Sequence, residues 1–392
     1  MITSLRDSGR AQCGGKAVAL SLLMRAGLPV PDGFVVHGDA TDRAEDPRAS
    51  ELPDELRDGI ARALEREGDP IVAVRSSATT EDTHDASAAG QYESVLGVRG
   101  AADVCGAIIT CRVSAHSPRV REYLGRTTRG APAADETPAV IVQRLVAADV
   151  SGVMFTSVLA GGPTRIEASW GLGLAVVGGT VTPDSYEVLP DGTVWARPGQ
   201  KDTRIDADPA GSGVVARAVC EERHRVRALT DEPARELAVL GVRIADLLGG
   251  PQDVEWAMAG GEMWILQARP ITAPLPRIPA PRRSAPTTTL RGSAGSHGLV
   301  AAPARIVRGP ADFRRVRPGE IIVCPVTDPA WTPLFVVAAG VITEAGGALS
   351  HAAIVAREYG IPAVLGVVGA TERISDGDRV RLDGSAGTVD FA

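Results

Sequence analysis

Residues 343–366 read TEAGGALSHAAIVAREYGIPAVLG. The diglycine Gly346-Gly347 permits tight backbone geometry. Ser350 then stands where a helix N-cap belongs, and His351 falls in the first turn of a helix predicted over 350–359, stopped by Gly360 and Pro362. An imidazole at a helix N-terminus has its cationic form disfavoured, so it remains a neutral nucleophile near pH 7. The same dipole favours a phosphate attached to that nitrogen. A histidine that merely hydrogen-bonds within a cap would have the same local pattern. The other five histidines (37, 84, 116, 224, 297) have no comparable setting.

Around this segment, residues 291–392 alternate short strand patterns (304–307, 320–324, 336–343, 379–382, 387–391) with few helices, the pattern of a compact small domain. Upstream, residues 273–290 read APLPRIPAPRRSAPTTTL, with prolines at 274, 276, 279, 281 and 286. That density opposes helix and ladder pairing and favours extended polyproline II. At about 3.1 Å per residue the stretch could span on the order of 50 Å. It serves as a tether between a block over 1–272 and the small domain.

In the first block, helices are predicted over 16–26, 55–67 and 234–248 and strands over 71–74, 139–146, 151–157, 253–258 and 263–267. The class is therefore mixed α and β (α+β or α/β) and multidomain. Three features bear chemistry. The loop from Arg75 to Gly90, RSSATTEDTHDASAAG, could fold over a polyphosphate through N–H groups and hydroxyls, with Arg75 pairing with its oxygens; a plain polar loop reads the same way. Glu255 and Gln267 fall on adjacent strands joined at 259–262, where their oxygens could hold Mg²⁺ beside phosphate, with Arg269 on the same face. A solvent-facing edge strand would equally account for Asp253 and Glu255. Lys16 opens a helix after Cys-Gly-Gly.

Lys16 is one of only two lysines among 41 Lys+Arg; the other, Lys201, lies in the polar stretch GQKDTR and reads as a solvated loop residue. The net charge of -7 argues against a general nucleic-acid binder. No apolar run approaches the ~20 residues of a bilayer helix, and the N-terminus lacks a signal pattern. Five cysteines without a C-x-x-C pair suit reduced thiols, so a cytoplasmic location without membrane or nucleic-acid partners is expected.

The stretches GGKAVALSLLMRAGLPVPDGFVV, VAVRSSATTEDTHDASAAGQYESVLGV, SGVMFT, PQDVEWAM with ILQARPIT, TDPAWTPLF and TEAGGALSHAAIVAREYGIPAVLGV occur in this order and cover nearly the whole chain. Together they resemble the phosphoenolpyruvate synthase and pyruvate phosphate dikinase family, which includes rifampin phosphotransferases. The resemblance implies an ATP-grasp nucleotide-binding domain over 1–272 and a swivelling β/β/α phosphohistidine domain over 291–392. It implies ATP and Mg²⁺ as cofactors, with Lys16, Arg75, Arg269 and, by a looser match, Arg119 on the phosphates. Glu255 and Gln267 would hold the metal. Gln143, Arg144, Leu145 and Val146 would run past the adenine, and Glu167 would meet the ribose. His351 would carry the phosphoryl group, with Thr343, Gly347 and Ser350 around it.

The implied activity is a phosphotransferase that moves the β-phosphoryl of ATP through His351 to a small-molecule acceptor, giving AMP and phosphate. No pyruvate barrel or rifampin-binding module is recognisable between or after the two domains. Two alternatives are a phosphocarrier that works with a separate acceptor-binding protein and an ATP-dependent condensing ligase.

Overall fold

The computed structural model describes residues 1–38, 51–78, 92–117, 120, 137–158, 161–272, 275 and 289–392. Arg119, residues 79–91 of the Ser/Thr loop, and the Pro-rich stretch apart from 275, 289 and 290 lie outside the described residues.

The N-terminal residues build a five-stranded antiparallel sheet in the order Ile2–Ser4, Gly33–Val36, Ala139–Arg144, Val72–Ser77, Ser94–Val98. The runs GFVV and AVIVQ are apolar almost throughout because both faces of this sheet are covered. Phe34, Val36, Val140 and Val142 point one way, onto Leu56, Ile60 and Leu64 of the helix Asp54–Arg66 and onto Val104 and Ile108 of the helix Gly100–Ala115. Val35 and Ile141 point the other way, into a core shared with the helix Gly14–Arg25. The strand predicted over 71–74 continues to Ser77, with Arg75, Ser76 and Ser77 paired to Ile141, Val140 and Ala139. These three residues belong to a ladder and not to a loop.

A second, six-stranded antiparallel sheet runs Glu262–Pro270, Gln252–Ala259, Val150–Phe155, Thr164–Trp170, Asp184–Val188, Val194–Arg197. The helix Asp231–Leu248, ended by Gly249 in the left-handed region (φ 78°), packs Ala234, Leu237 and Ile244 onto one face with Met154, Val254 and Trp256. Strand alternation puts Asp253 and Glu255 on the opposite face. The strand that carries them is interior, flanked on both sides, so the edge-strand alternative is excluded. Lys201 also departs from its expectation. It is fully buried, and its ammonium pairs with Asp184, whose carboxylate also accepts from the N–H of Gly199 (2.8 Å) and Ala228 (2.6 Å).

Residues 290–391 form an eight-stranded mixed sheet in the order Leu290–Arg291, Thr388–Phe391, Arg379–Asp383, Leu299–Ile306, Ile321–Cys324, Gly340–Thr343, Ala363–Leu365, Ser293–Ser296. The four strands from Leu299–Ile306 to Ala363–Leu365 are parallel. The helix His351–Glu358 lies in sequence between two of these parallel neighbours, so His351 sits just beyond the carboxyl end of Gly340–Thr343. In parallel sheets that end is where ligands collect. Two apolar clusters cover the two faces, one of them formed with the helix. No helix of the described residues is long and apolar enough to cross a membrane.

Candidate active site

Helix Gly14–Arg25 begins with a glycine because nothing larger fits. Gly14 has φ +78°, and a Cβ there would stand 2.0 Å from the carbonyl oxygen of Ser77. The close approach is sealed by Ala17 N–H donating to Ser77 Oγ at 3.2 Å and by Ser77 Oγ donating to the Cys13 carbonyl at 2.7 Å. Lys16 is thereby set against strand Val72–Ser77, buried, with its Nζ 3.3 Å from the Ser76 carbonyl.

Register brings together the two residues expected to hold the metal. Glu255 and Gln267 are direct cross-strand partners, and the register shifts immediately after them, so Leu266 is an extra residue on its strand. Bulges of this kind re-aim side chains beside functional sites. The Leu266 carbonyl accepts from Arg75 Nη1 at 3.2 Å, while Arg75 Nη2 stands 3.4 Å from Glu255 Oε2. Arg269 is paired with Asp253 through Nε (2.9 Å) and Nη2 (2.8 Å).

Lys16, Arg75, Gln143, Arg144, Leu145, Val146, Glu255, Gln267 and Arg269 all line one cavity of about 650 Å³, and so does His351 from the C-terminal sheet. The volume is within the usual range for small-molecule sites. The wall combines charged side chains with an apolar cluster that includes Leu145, Val146, Leu172 and Ala257. Polyanion contacts and a flat apolar ring could thus be served by one cavity. Gln143 donates from Nε2 to the Pro31 carbonyl at 3.3 Å, and Arg144 from Nη2 to the Glu67 carbonyl at 3.1 Å.

The remaining expected residues stand outside this wall. Thr343 is buried at a strand end, where its hydroxyl donates to the Ala345 carbonyl. Ser350 occupies the N-cap position without capping by its side chain; its Oγ donates to the Gly347 carbonyl at 2.9 Å. Glu167, expected at the ribose, is 4% exposed, and both of its oxygens are taken by the His351 loop: Oε1 accepts from Ala348 N–H at 2.7 Å and Oε2 from Leu349 N–H at 3.1 Å. Burial pushes its carboxyl up to about 7, against the lowering effect of those two N–H groups, Arg357 and Arg165. In this arrangement Glu167 does not face the cavity.

Sequence reasoning missed Arg357, six residues after His351. It donates to the carbonyls of Gly295 and Ala348 at 2.7 Å each and lies 5.8 Å from the Phe155 ring centroid. Burial lowers its guanidinium to about 10. A half-buried arginine on a short helix carries no signal of its own in sequence. Thr327 and Asp328, which line the cavity from the C-terminal sheet's side, fall in the quoted TDPAWTPLF stretch but had no assigned role.

A cavity of this size that joins lysine, arginine and carboxylate side chains to a helix-borne histidine is the kind of site that suits a protein binding polyanionic ligands. The comparisons narrow that class. The AMP/ATP-binding domain of pyruvate phosphate dikinase matches residues 45–278, and the mobile domain of PEP-utilising enzymes matches 316–387. A probable phosphoenolpyruvate synthase of Methanothermobacter thermautotrophicus is 35% identical over 96% of this chain and 61% of its own length. Another from Archaeoglobus fulgidus is 36% identical over 96% and 56%. The phosphoenolpyruvate synthase of Escherichia coli is 35% identical over 88% and 46%. The chain belongs to the phosphoenolpyruvate synthase and pyruvate phosphate dikinase family, and it spans about half the length of the curated relatives it matches.

Proposed function

We propose that the chain is an AMP-forming phosphotransferase that charges His351 from ATP and passes the phosphoryl group to a small-molecule acceptor. One observation supports this above the rest: His351 shares its cavity with Lys16, Arg75, Glu255, Gln267 and Arg269, although it comes from a different sheet. In this reading residues 1–272 are an ATP-grasp body, 291–392 a swivelling phosphohistidine body, and 273–290 the tether between them.

The imidazole attacks the β-phosphorus, the bond to the α–β bridging oxygen breaks, and AMP leaves. Water takes the γ-phosphoryl group as inorganic phosphate, so one phosphoryl remains on the ring nitrogen. Lys16 and Arg75 offset charge on the β- and γ-oxygens. Arg269 and Arg75 exchange part of their present pairing with Asp253 and Glu255 for phosphate. The apolar cluster takes the adenine, with residues 143–146 alongside. Thr343, Gly347 and Ser350 shape the loop that presents His351.

Among the described residues no cluster of three or more His, Cys, Asp or Glu could hold a metal by itself. Glu255 and Gln267 fit Mg²⁺ as a two-oxygen site completed by substrate phosphates and water, the usual habit of this ion. Bound there, Mg²⁺ would neutralise charge on the phosphate oxygens.

ATP labelled at the β-phosphorus tests the reading. Wild-type protein should acquire acid-labile, alkali-stable label and release AMP, and His351→Ala should acquire none. Label that persists in His351→Ala would refute the carrier assignment. Glu255→Ala should weaken Mg·ATP binding at least about tenfold with the fold intact; unchanged affinity would remove the metal role.

A further inference from the structure

We infer that Glu167 is the clasp that seats the His351 loop on the nucleotide body, a positioning residue for phosphoryl transfer to His351. The inference rests on the reading above that His351 is the phosphoryl carrier.

Three observations carry it. Glu167 stands on the strand Thr164–Trp170 of the six-stranded sheet, and its two oxygens accept from the consecutive N–H groups of Ala348 and Leu349 across the boundary between the sheets. The N–H groups around a helix start have no partner within the helix, so an outside acceptor is needed whenever they are buried. Second, the loop is shaped to receive the carboxylate. A Cβ on Gly347 would stand 2.3 Å from Glu167 Oε2 and 2.4 Å from Oε1, so no larger residue fits while the two bodies are together. Third, the seat is closed on either side. Gly346 N–H donates to the Val181 carbonyl at 3.0 Å, and Arg357 pins the Ala348 carbonyl from the loop's own helix.

Ala348 and Leu349 precede His351 by three and two residues. Fixing their N–H groups therefore fixes how far the imidazole enters the cavity that Leu349 and His351 both line. Glu167 acts through the loop and does not touch the phosphates. When the small body swings away, the two N–H groups and the carboxylate part together, and water can satisfy both.

The test compares wild type with Glu167→Ala and Gly347→Ala in the full chain. Three measurements are made: amide exchange of the segment 344–351, the rate of His351 labelling at saturating Mg·ATP, and nucleotide affinity. Glu167→Ala should raise exchange in that segment and slow labelling, each at least tenfold, with nucleotide affinity within about threefold of wild type. Gly347→Ala places the obstruction on the opposite body and should give the same three results, which guards against a fold defect at Glu167. Unchanged exchange and labelling in both variants would overturn the clasp. So would a loss of nucleotide affinity in Glu167→Ala with exchange unchanged, because that pattern belongs to a ribose contact. If wild type is never labelled at His351, the carrier reading fails, while the exchange data still report on the clasp.

Discussion

Lys16 and Lys201 are both buried, but their ammonium groups have different surroundings. Lys201 faces Asp184 in full burial, inside a set of N–H donors that fills the carboxylate. Lys16 contacts a backbone carbonyl at 3.3 Å and borders the cavity. Removing one member of a buried ion pair leaves an uncompensated charge, at a cost of about 3–5 kcal/mol. Lys201→Met should therefore lower unfolding stability by that amount in urea titration, whereas Lys16→Met should abolish β-phosphoryl labelling. Unchanged stability in Lys201→Met would contradict the first expectation, and labelling that persists in Lys16→Met the second. Lys16 was legible in sequence from its place at a helix start in a lysine-poor chain. Lys201 was not, because its partner lies on a strand 17 residues earlier and the polar residues around it suggest solvent.

The helices over 55–67 and 234–248 and the β-branched runs were readable from periodicity, with ends up to three residues off: 55–67 against Asp54–Arg66, 234–248 against Asp231–Leu248, 253–258 against Gln252–Ala259; the helix Gly100–Ala115 was missed. The polar strands Asp184–Val188, Val194–Arg197 and Thr203–Ala207 were missed, since short half-buried strands bring few apolar residues to a pattern. The polar Ser76 and Ser77 suggest a loop based at Arg75, yet both are buried in the ladder. The contact of Glu167 with the His351 loop joins elements about 180 residues apart, and no local pattern encodes it. It also makes docking sensitive to pH. The Glu167 carboxyl titrates near 7 when docked against an ordinary 4.5, so docking takes up a proton between these values. This contribution is fully present below about 4.5, is lost as pH rises through about 7, and amounts to at most about 3 kcal/mol. The charges facing Glu167 are Arg357 from the helix and Arg165 from its own strand, itself paired with Glu187; the neighbouring strand Val150–Phe155 brings none. Protection of amides 344–351, corrected for intrinsic exchange, should fall between pH 5 and 7.5 in wild type and stay flat in Glu167→Gln. A slope that survives in Glu167→Gln would assign the effect to another group.

At the scale of the molecule, the order of motifs disclosed the family, but the way the two bodies meet had to come from the structure. Their cores are separate. Cys13 and Cys111 are buried in the clusters of the N-terminal sheets, and Cys324 in a cluster of the C-terminal sheet. Among the described residues a small cluster bridges them, in which Leu349 meets Val153, Phe155 and Val176 beside the Glu167 clasp. An apolar contact of that size couples two cores weakly, and chains with separable cores depart from all-or-none unfolding. The cysteines report this directly, because Cys220 is exposed and the other four are buried. In native buffer one thiol per chain, Cys220, should react rapidly with an alkylating reagent. In rising urea, peptide-resolved labelling should show Cys324 opening at a midpoint distinct from that shared by Cys13 and Cys111. Glu167→Ala should move neither midpoint by more than about 0.5 M, because at an m-value near 2 kcal/mol per M a loss of about 1 kcal/mol at the boundary moves a midpoint by that much. A single midpoint common to Cys13, Cys111 and Cys324 would show instead that the clasp and its small apolar cluster bind the bodies into one cooperative unit, and the swivel in the proposed function would then have to break that unit on every turnover.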